Sequence, residues 1–265
     1  MKYGDRFDSL LTAVRLGADQ ELMSRFNRAE VRYKADGSTL TDADIAMNQW
    51  LIRELGERFP DYSVLSEEMP IEVQQQRLAA AEPGLWVIDP LDGTSNFAAG
   101  LPYFAVSMAL MEEGRVSFAL VYDPVRRECF HARPGQGAWV NERRLIAPSS
   151  QRSLRRAIAL VDFKRLPTEL AQRLVAAPPY ASQRSFGAVA LDLCWLAAGR
   201  AHIYLHGQHN LWDYIAGLSI LREAGGRDQT LESMESQPFD IQPRSSAAAL
   251  HAELFREWCD WLGLH

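Results

Sequence analysis

One stretch of the chain, WVIDPLDGTSNF (residues 86–97), requires a buried strand, a sharp turn and a new helix in close succession. The apolar residues 86–88 are typical of a buried strand, and Pro90, which lacks a backbone N–H group, prevents regular strand pairing from continuing. Asp89 and Asp92 therefore lie where the strand ends. A chain with this stretch folds around a strand whose carboxyl end carries two carboxylates.

The residues after this strand favour a site for a metal ion and a phosphate group. Gly93 allows the backbone to approach a ligand closely, and residues 94–96 are of types that begin helices, where unpaired N–H groups attract an anion. Two carboxylates suit Mg²⁺, which proteins commonly hold through one or two carboxylates and phosphate oxygens of a substrate. An ordinary turn rich in Asp and Gly, with Asp92 as a helix cap, explains the same residues.

Composition limits the class of protein. The chain has 265 residues, 47% of them hydrophobic, which is enough for one large or two modest domains. Its net charge of −6 argues against broad binding of nucleic acid or anionic membranes. The cysteines, Cys129, Cys194 and Cys259, lie far apart and argue against a disulfide framework or a thiolate zinc site. Without a signal peptide or an apolar run of about 18 residues, a cytoplasmic protein is expected.

Apolar spacing predicts the order of the elements. A first helix is expected over residues 7–22 and a second after Thr41. Between residues 105 and 140, short apolar runs separated by turn residues predict an antiparallel meander.

The second half of the chain is predicted to be α/β. Residues 147–150 (APSS) are the predicted boundary, which divides the chain into 1–148, an α+β half with most of the metal ligands, and 149–265. The predicted strands of the second half cover 158–161 and 202–205, and its predicted helices cover 168–176, 188–198 and 211–224.

Other acidic residues permit two interpretations each. Glu67 follows an apolar strand pattern and can join Asp89, although a Glu-Glu pair is usually a surface feature. Thr41 and Asp44 have the spacing of a helix capping box, with Asp in the usual place of Glu. Asp213 lies in the first turn of a predicted helix, where the helix dipole alone explains an acid.

Two motifs taken together are more specific than any of these residues. WVIDPLDGTSNF and WDYIAGLSILREAGG (residues 212–226) closely resemble the two signatures of the inositol monophosphatase family of metal-dependent phosphatases. The resemblance extends from about Lys34 to the last helix. It implies an α/β (α+β) fold of alternating α-β-α-β-α layers, of the inositol monophosphatase and fructose-1,6-bisphosphatase type, usually as a homodimer. It also implies hydrolysis of a small phosphate monoester, with inositol 1-phosphate as the first candidate.

The resemblance also implies roles for individual residues. The implied metal ligands, for two or three Mg²⁺ ions or for Mn²⁺ in their place, are Glu67, Asp89, the Leu91 carbonyl, Asp92 and Asp213. The implied catalytic residues are Asp44, Thr94 and Glu67, of which Asp44 and Thr94 form the pair that activates the attacking water. The implied substrate and phosphate contacts are Asp92, Gly93, Thr94, Val189, His206 and Asp213.

One position departs from the family pattern. His206 stands where inositol-type members usually carry Glu, seven residues before the last ligand Asp. Because histidine can donate a hydrogen bond to an anionic group, this change predicts a preference for a more anionic substrate. Lys164 and Arg165 either face the site or lie in a solvated loop. The resemblance also leaves fructose 1,6-bisphosphate, histidinol phosphate and 3′-phosphoadenosine 5′-phosphate as alternative substrates, because relatives with the same metal core cleave them.

Two other functions compete with this interpretation. Haloacid-dehalogenase-type phosphatases need a nucleophilic Asp two residues before the Asp-Gly pair, but Pro90 stands there. A mainly regulatory, partner-binding member of the same family is the second alternative, and the complete set of acids disfavours it as the sole function. The expected partner is a small phosphorylated metabolite, with no nucleic acid and no membrane.

Overall fold

The computed structural model describes residues 4–34, 37–147, 153–232 and 239–264. The predicted domain boundary at Pro148 and Ser149 lies outside these ranges, so the division into two halves stays a prediction. In the described ranges, no helix is long and apolar enough to cross a membrane.

The elements follow in a regular order along the chain. The helices of the described ranges are α1 (Gly4–Gly17), α2 (Asp42–Arg58), α3 (Ile71–Ala79), α4 (Thr94–Ala98), α5 (Thr168–Ala176), α6 (Val189–Ala197), α7 (Leu211–Glu223) and α8 (Ala252–Leu262). The strands are β1 (Val31–Tyr33), β2 (Thr39–Thr41), β3 (Ser63–Ser66), β4 (Leu85–Asp92), β5 (Ala105–Glu112), β6 (Arg115–Asp123), β7 (Glu128–Arg133), β8 (Gly137–Val140), β9 (Arg143–Arg144), β10 (Ile158–Asp162), β11 (Ser182–Arg184), β12 (Ile203–His209), β13 (Arg227–Gln229) and β14 (Arg244–Ala249). A π-helical turn covers Ala18–Met23, and 3₁₀ turns cover Leu154–Arg156 and Phe163–Arg165.

These strands form two large sheets and one hairpin. The larger sheet has the order β3-β4-β5-β6-β7-β8-β9, in which β3 and β4 are parallel and the later pairs are antiparallel. The predicted meander is therefore confirmed. The smaller sheet has the order β11-β10-β12-β14-β13, with β10 parallel to both of its neighbours. β1 and β2 pair with each other as a separate hairpin.

Alternating side chains on the strands explain how the layers stack. Trp86 and Ile88 on β4 pack in one apolar cluster with α1 and α2, whereas Val87 points to the other face and packs with α6 and α7. On β12, Tyr204 joins this second cluster and Leu205 joins a third one with α5 and α8. The layers are thus helices, sheet, helices, sheet and helices. The predicted α-β-α-β-α order is confirmed.

Helix α7 lies between the two sheets and is buried on almost every side. Gly217 makes this packing close, since a Cβ atom there would lie 2.8 Å from the Cβ of Leu193 on α6. Gly225 ends the helix with a φ of 96°, a conformation that favours glycine. The first turn of α7, which carries Asp213, is therefore held rigidly between the sheets.

Candidate active site

The carboxyl ends of β3, β4 and β10 and the first turns of α6 and α7 meet at a cavity of about 710 Å³. With one exception, every site residue implied by the resemblance lines this cavity. The lining includes Glu67, Asp89, Leu91, Asp92, Gly93, Thr94, Val189, His206 and Asp213, together with Lys34, Lys164 and Arg165. The exception is Asp44, which is buried directly behind Thr94.

A cluster of carboxylates occupies one side of the cavity. Glu67, Asp89 and Asp213 each bring one oxygen within 4.8 Å of the others. Burial, and then the charges of Glu67, Asp92 and Asp213, raise the pKa of Asp89 well above its usual range. Burial raises the pKa of Asp213 to about 7. Converging oxygen ligands whose mutual repulsion is this strong fit a hard divalent cation, which would neutralise them.

Lys34, after β1, contacts the edge of this cluster. Its Nζ lies 3.2 Å from Oε1 of Glu67 and 3.0 Å from Oε1 of Glu68. Although burial lowers the pKa of Lys34, the two carboxylates outweigh it and raise this pKa to about 12. The Glu67 and Glu68 side chains are only 25% and 10% exposed, so the surface interpretation of this pair is wrong. Lys34 holds Glu67 in place as a charged partner.

Asp89 and Asp92 are separated by an irregular turn within β4. Pairing with β5 is regular up to Asp89 and then shifts before Asp92, so the strand continues past Pro90 rather than ending there. The Leu91 N–H donates to Oδ1 of Asp89 at 2.9 Å and fixes that carboxylate. Gly93 follows with a φ of 92°, a conformation that favours glycine.

Asp92 contacts a helix that is distant in sequence. Its Oδ1 accepts a hydrogen bond from the Val189 N–H at 3.2 Å, and its Oδ2 accepts one from the Ala190 N–H at 2.7 Å. The N-cap of α4 is Gly93, so the interpretation of Asp92 as the cap of the next helix is wrong: its carboxylate accepts instead from the first two N–H groups of α6. Burial, and then the charge of Asp213, raise the pKa of Asp92 well above its usual range. Asp92 thus joins α6 to the acidic cluster.

Thr94 and Asp44 form a hydrogen-bonded pair. The Thr94 hydroxyl lies 2.9 Å from Oδ1 of Asp44 and 2.9 Å from the Leu91 carbonyl oxygen, and it can donate to either. The other oxygen of Asp44 accepts from the N–H of Thr41 at 2.7 Å, as the predicted capping box requires. Burial raises the pKa of Asp44. The cap and the site therefore use the same carboxylate, one oxygen for each.

His206 lies in the cavity wall, as expected, but its hydrogen-bond partners differ from the substrate group that the sequence predicted. Its side chain is buried, its Nδ1 accepts from the Gln208 N–H at 3.2 Å, and its Nε2 lies 3.0 Å from Oδ2 of Asp162. Because Nδ1 accepts a hydrogen bond, Nε2 carries the proton, and this N–H group donates a hydrogen bond to Asp162. The predicted free donor for a second anionic group is therefore wrong. Asp162 lies opposite His206 on the parallel strand β10, a register that neither segment reveals alone.

Two acidic residues of the cavity, Asp162 and Asp192, were not predicted from the sequence. Asp162 follows the predicted strand over 158–161, and the same strand-end argument that selected Asp89 would have selected it. Asp192 lies in the first turn of α6, where an acid is ordinarily explained by the helix dipole.

Asp192 gives the metal-free protein a predicted pH dependence. The Tyr103 hydroxyl donates to its Oδ1 at 2.7 Å, and burial raises the pKa of Asp192 to about 7. An unfolded Asp has a pKa of about 3.9, so between these values the native state holds a proton that the unfolded state has lost. Stability should then fall as pH rises through this window.

Calorimetric melting temperatures of metal-free protein, followed from about pH 4 to pH 8 across that window, test this expectation. The other buried acids contribute with the same sign, so the wild type is compared with Asp192→Asn. The variant should lose less melting temperature as pH rises, because its amide cannot ionise. Parallel curves for both proteins would contradict the role given to Asp192.

Comparison with known proteins supports the class suggested by this geometry. The sequence profile of the inositol monophosphatase family matches residues 5–259. Nus factor SuhB of Pasteurella multocida is 36% identical over 199 residues, which cover 73% of this chain and 72% of that protein. The inositol-1-monophosphatase of Bacillus subtilis is 32% identical over 229 residues, 83% of each chain. A solved structure of an IMPase from Thermotoga maritima is 28% identical, with a TM-score of 0.80 over 98% of each chain.

The layered fold and these matches define a phosphatase of the α/β sandwich type. The chain belongs to the inositol monophosphatase family.

Proposed function

We propose that the protein hydrolyses a small phosphate monoester, inositol 1-phosphate first among them, with Mg²⁺ held by its acidic cluster. The observation that carries this proposal is the convergence of one oxygen each from Glu67, Asp89 and Asp213. Similarity to the Bacillus subtilis inositol-1-monophosphatase supports the substrate. The Leu91 carbonyl and Asp92 would complete the ligands for two or three ions, and Mn²⁺ would substitute for Mg²⁺.

The turn after β4 is the proposed phosphate site. A Cβ atom on Gly93 would lie 3.1 Å from both the Tyr103 carbonyl oxygen and the Cβ of Ala188, so only glycine fits this turn without displacement. The Gly93 and Thr94 amides are the proposed donors to the phosphoryl oxygens. A divalent cation, when bound, supplies positive charge that stabilises the phosphoryl oxygens and makes water a stronger nucleophile.

Thr94 and Asp44 are the proposed proton acceptors. The Thr94 hydroxyl donates to Asp44 and keeps lone pairs that can accept a hydrogen bond from a water molecule. As the water oxygen attacks phosphorus, its proton moves to the Thr94 oxygen while the Thr94 proton moves to Asp44. The ester oxygen leaves with its electron pair and takes a proton from solvent. Burial raises the pKa of Asp44 and so makes it a stronger base than an ordinary carboxylate.

A regulatory, partner-binding role is the second candidate, and the name Nus factor of the Pasteurella multocida relative supports it. A regulatory role needs no acidic cluster, so the intact cluster favours catalysis, whether alone or together with regulation. The homodimer, the cytoplasmic location and the alternative phosphorylated substrates stay predictions.

Phosphate release by the purified protein tests the proposed function. On inositol 1-phosphate, activity should require Mg²⁺ or Mn²⁺, disappear in excess chelator and return when Mg²⁺ is restored, because the acidic cluster needs a cation. Li⁺ should inhibit, as the family resemblance implies. A panel containing fructose 1,6-bisphosphate, histidinol phosphate and 3′-phosphoadenosine 5′-phosphate ranks the substrates. Full activity in excess chelator would contradict the metal assignment. Inactivity on every ester would contradict the proposed hydrolysis and favour the regulatory role.

A further inference from the structure

Asp162 presents a carboxylate to the cavity from the end of β10. Its side chain is 24% exposed and lies among the cavity-lining residues. Oδ1 accepts from the Lys164 N–H at 2.9 Å, while Oδ2 accepts from His206 at 3.0 Å and from Arg165 at 3.4 Å. A carboxylate has about four acceptor positions, so these three bonds leave one for a ligand.

His206 holds this carboxylate from behind. Its ring is 4.9 Å from the ring of His209 and stacks on Tyr204 with an interplanar angle of 6°. With its Nδ1 bonded to the Gln208 amide, the ring has one orientation in which Nε2 reaches Asp162. This hydrogen bond outweighs burial and lowers the pKa of Asp162, so the carboxylate is ionised at neutral pH.

The segment that carries Asp162 is also fixed by its backbone. Gly207 on β12 allows the 3₁₀ turn Phe163–Arg165 to lie directly against the strand, because a Cβ atom there would fall 1.7 Å from the Arg165 carbonyl oxygen. Asp162 caps this turn through its bond to the Lys164 N–H. Its carboxylate therefore has a defined position in the wall.

We propose that Asp162, positioned by His206, is a specificity-determining residue that accepts a hydrogen bond from a hydroxyl group of the substrate's alcohol part. This inference rests on the proposed function, since the cavity must bind a phosphate monoester. An ionised carboxylate accepts from a hydroxyl group but repels a second phosphate group at the same place. The substrate class is thus a polyhydroxylated monophosphate rather than a bisphosphate, opposite to the preference predicted from His206 alone.

Two basic side chains lie close to this wall. Their attraction for a second phosphate group of a substrate must be separated from the repulsion by Asp162. Lys164 and Arg165 are both exposed, and Arg165 is paired with Asp162 itself. Lys164 forms no ion pair among the residues that the structure describes, so the Lys164→Ala variant, which removes its charge, is the matched control for the experiment below.

The test compares inositol 1-phosphate with p-nitrophenyl phosphate, which has the phosphoryl group but no alcohol hydroxyl groups. For Asp162→Asn, kcat/KM on inositol 1-phosphate should fall about tenfold to a hundredfold, mainly through KM, the range for a hydrogen bond to a charged group. The value for p-nitrophenyl phosphate should stay within about twofold, because the phosphoryl site is intact. Activity on fructose 1,6-bisphosphate should rise relative to inositol 1-phosphate.

Variants of His206 test its positioning role. His206→Gln keeps a side-chain donor for Asp162 and should retain most of the preference for inositol 1-phosphate, whereas His206→Leu should lose it as Asp162→Asn does. Lys164→Ala should keep the preference. Melting temperatures and p-nitrophenyl phosphate turnover report whether each variant is folded.

Three results would overturn the inference. Asp162→Asn could lower kcat/KM equally on both monoesters, or it could lower kcat/KM on neither. In the third case, only Lys164→Ala would lose the preference for inositol 1-phosphate. If the wild-type protein cleaves p-nitrophenyl phosphate in any of these cases, the proposed phosphatase function still stands and only this inference fails. A wild type that cleaves neither ester contradicts the proposed function and this inference together.

Discussion

Asp89→Asn is expected to lower kcat/KM for inositol 1-phosphate by at least about 10²-fold at saturating Mg²⁺, the typical effect of losing one strong electrostatic contribution to the transition state. Asp89 is 2% exposed and interacts with the charges of Glu67, Asp92 and Asp213, so it lies at the centre of the proposed metal site. Asparagine has nearly the same shape but no negative charge. The substitution therefore weakens cation binding without opening a cavity.

A stability measurement separates this effect from misfolding. In the metal-free protein, Asp89→Asn should melt at the wild-type temperature or above it, because a neutral amide replaces a buried carboxyl group whose ionisation its acidic neighbours oppose. Added Mg²⁺ should raise the melting temperature of the wild type more than that of the variant. Asp61→Asn, an exposed residue before β3, is the matched control and should behave as wild type. Near wild-type turnover of Asp89→Asn would show that this carboxylate does not bind the catalytic cation.

Thr94→Ala should lower kcat by about 10²- to 10⁴-fold, the usual contribution of a positioned proton-transfer group. The Thr94 hydroxyl lies within hydrogen-bond distance of Asp44 and of the Leu91 carbonyl. The proposed metal ligands that converge are the carboxylates of other residues. Loss of the hydroxyl should therefore leave Mg²⁺ affinity within about twofold of wild type, because the ligand carboxylates are unchanged. Steady-state kinetics and calorimetric titration of Mg²⁺ measure the two quantities separately.

Thr94→Ser is the control for this prediction, since it keeps the hydroxyl and loses only a methyl group. It should retain most of the wild-type kcat. A loss of Mg²⁺ affinity in Thr94→Ala that matches its loss of kcat would move Thr94 from water activation to metal binding. Wild-type kcat in Thr94→Ala would exclude the Thr94–Asp44 pair from proton transfer.

Periodicity predicted those elements whose apolar residues repeat strongly. Helices α1, α2, α6 and α7 and the β5–β7 meander all lie where the apolar spacing placed them. Strand β14, with the sequence RSSAAA, was not predicted, because Ala and Ser have weak strand preference. Its pairing with β12 and β13 and the burial of Ala248 between layers make it a strand. Tertiary packing overrides local preference there.

The resemblance of two motifs to the family implied the acidic cluster, whose acids lie in local patterns that are ambiguous alone: Asp89 near the end of an apolar strand and Asp213 in the first turn of a helix. Contacts that depend on register between distant segments were not predictable. The pairing of Asp162 with His206 requires β10 and β12 to be adjacent and parallel, and the contact of Asp92 with α6 spans 97 residues. Sequence patterns describe one element at a time, whereas these bonds join two.

The most direct test of the metal assignment is anomalous X-ray diffraction from crystals grown with Mn²⁺, using protein that releases phosphate from inositol 1-phosphate with Mn²⁺. The account predicts anomalous density between the carboxylates of Glu67, Asp89 and Asp213, and its loss in crystals of Asp89→Asn. Active protein whose crystals show no Mn²⁺ at these three residues, or show it only elsewhere, would contradict the account.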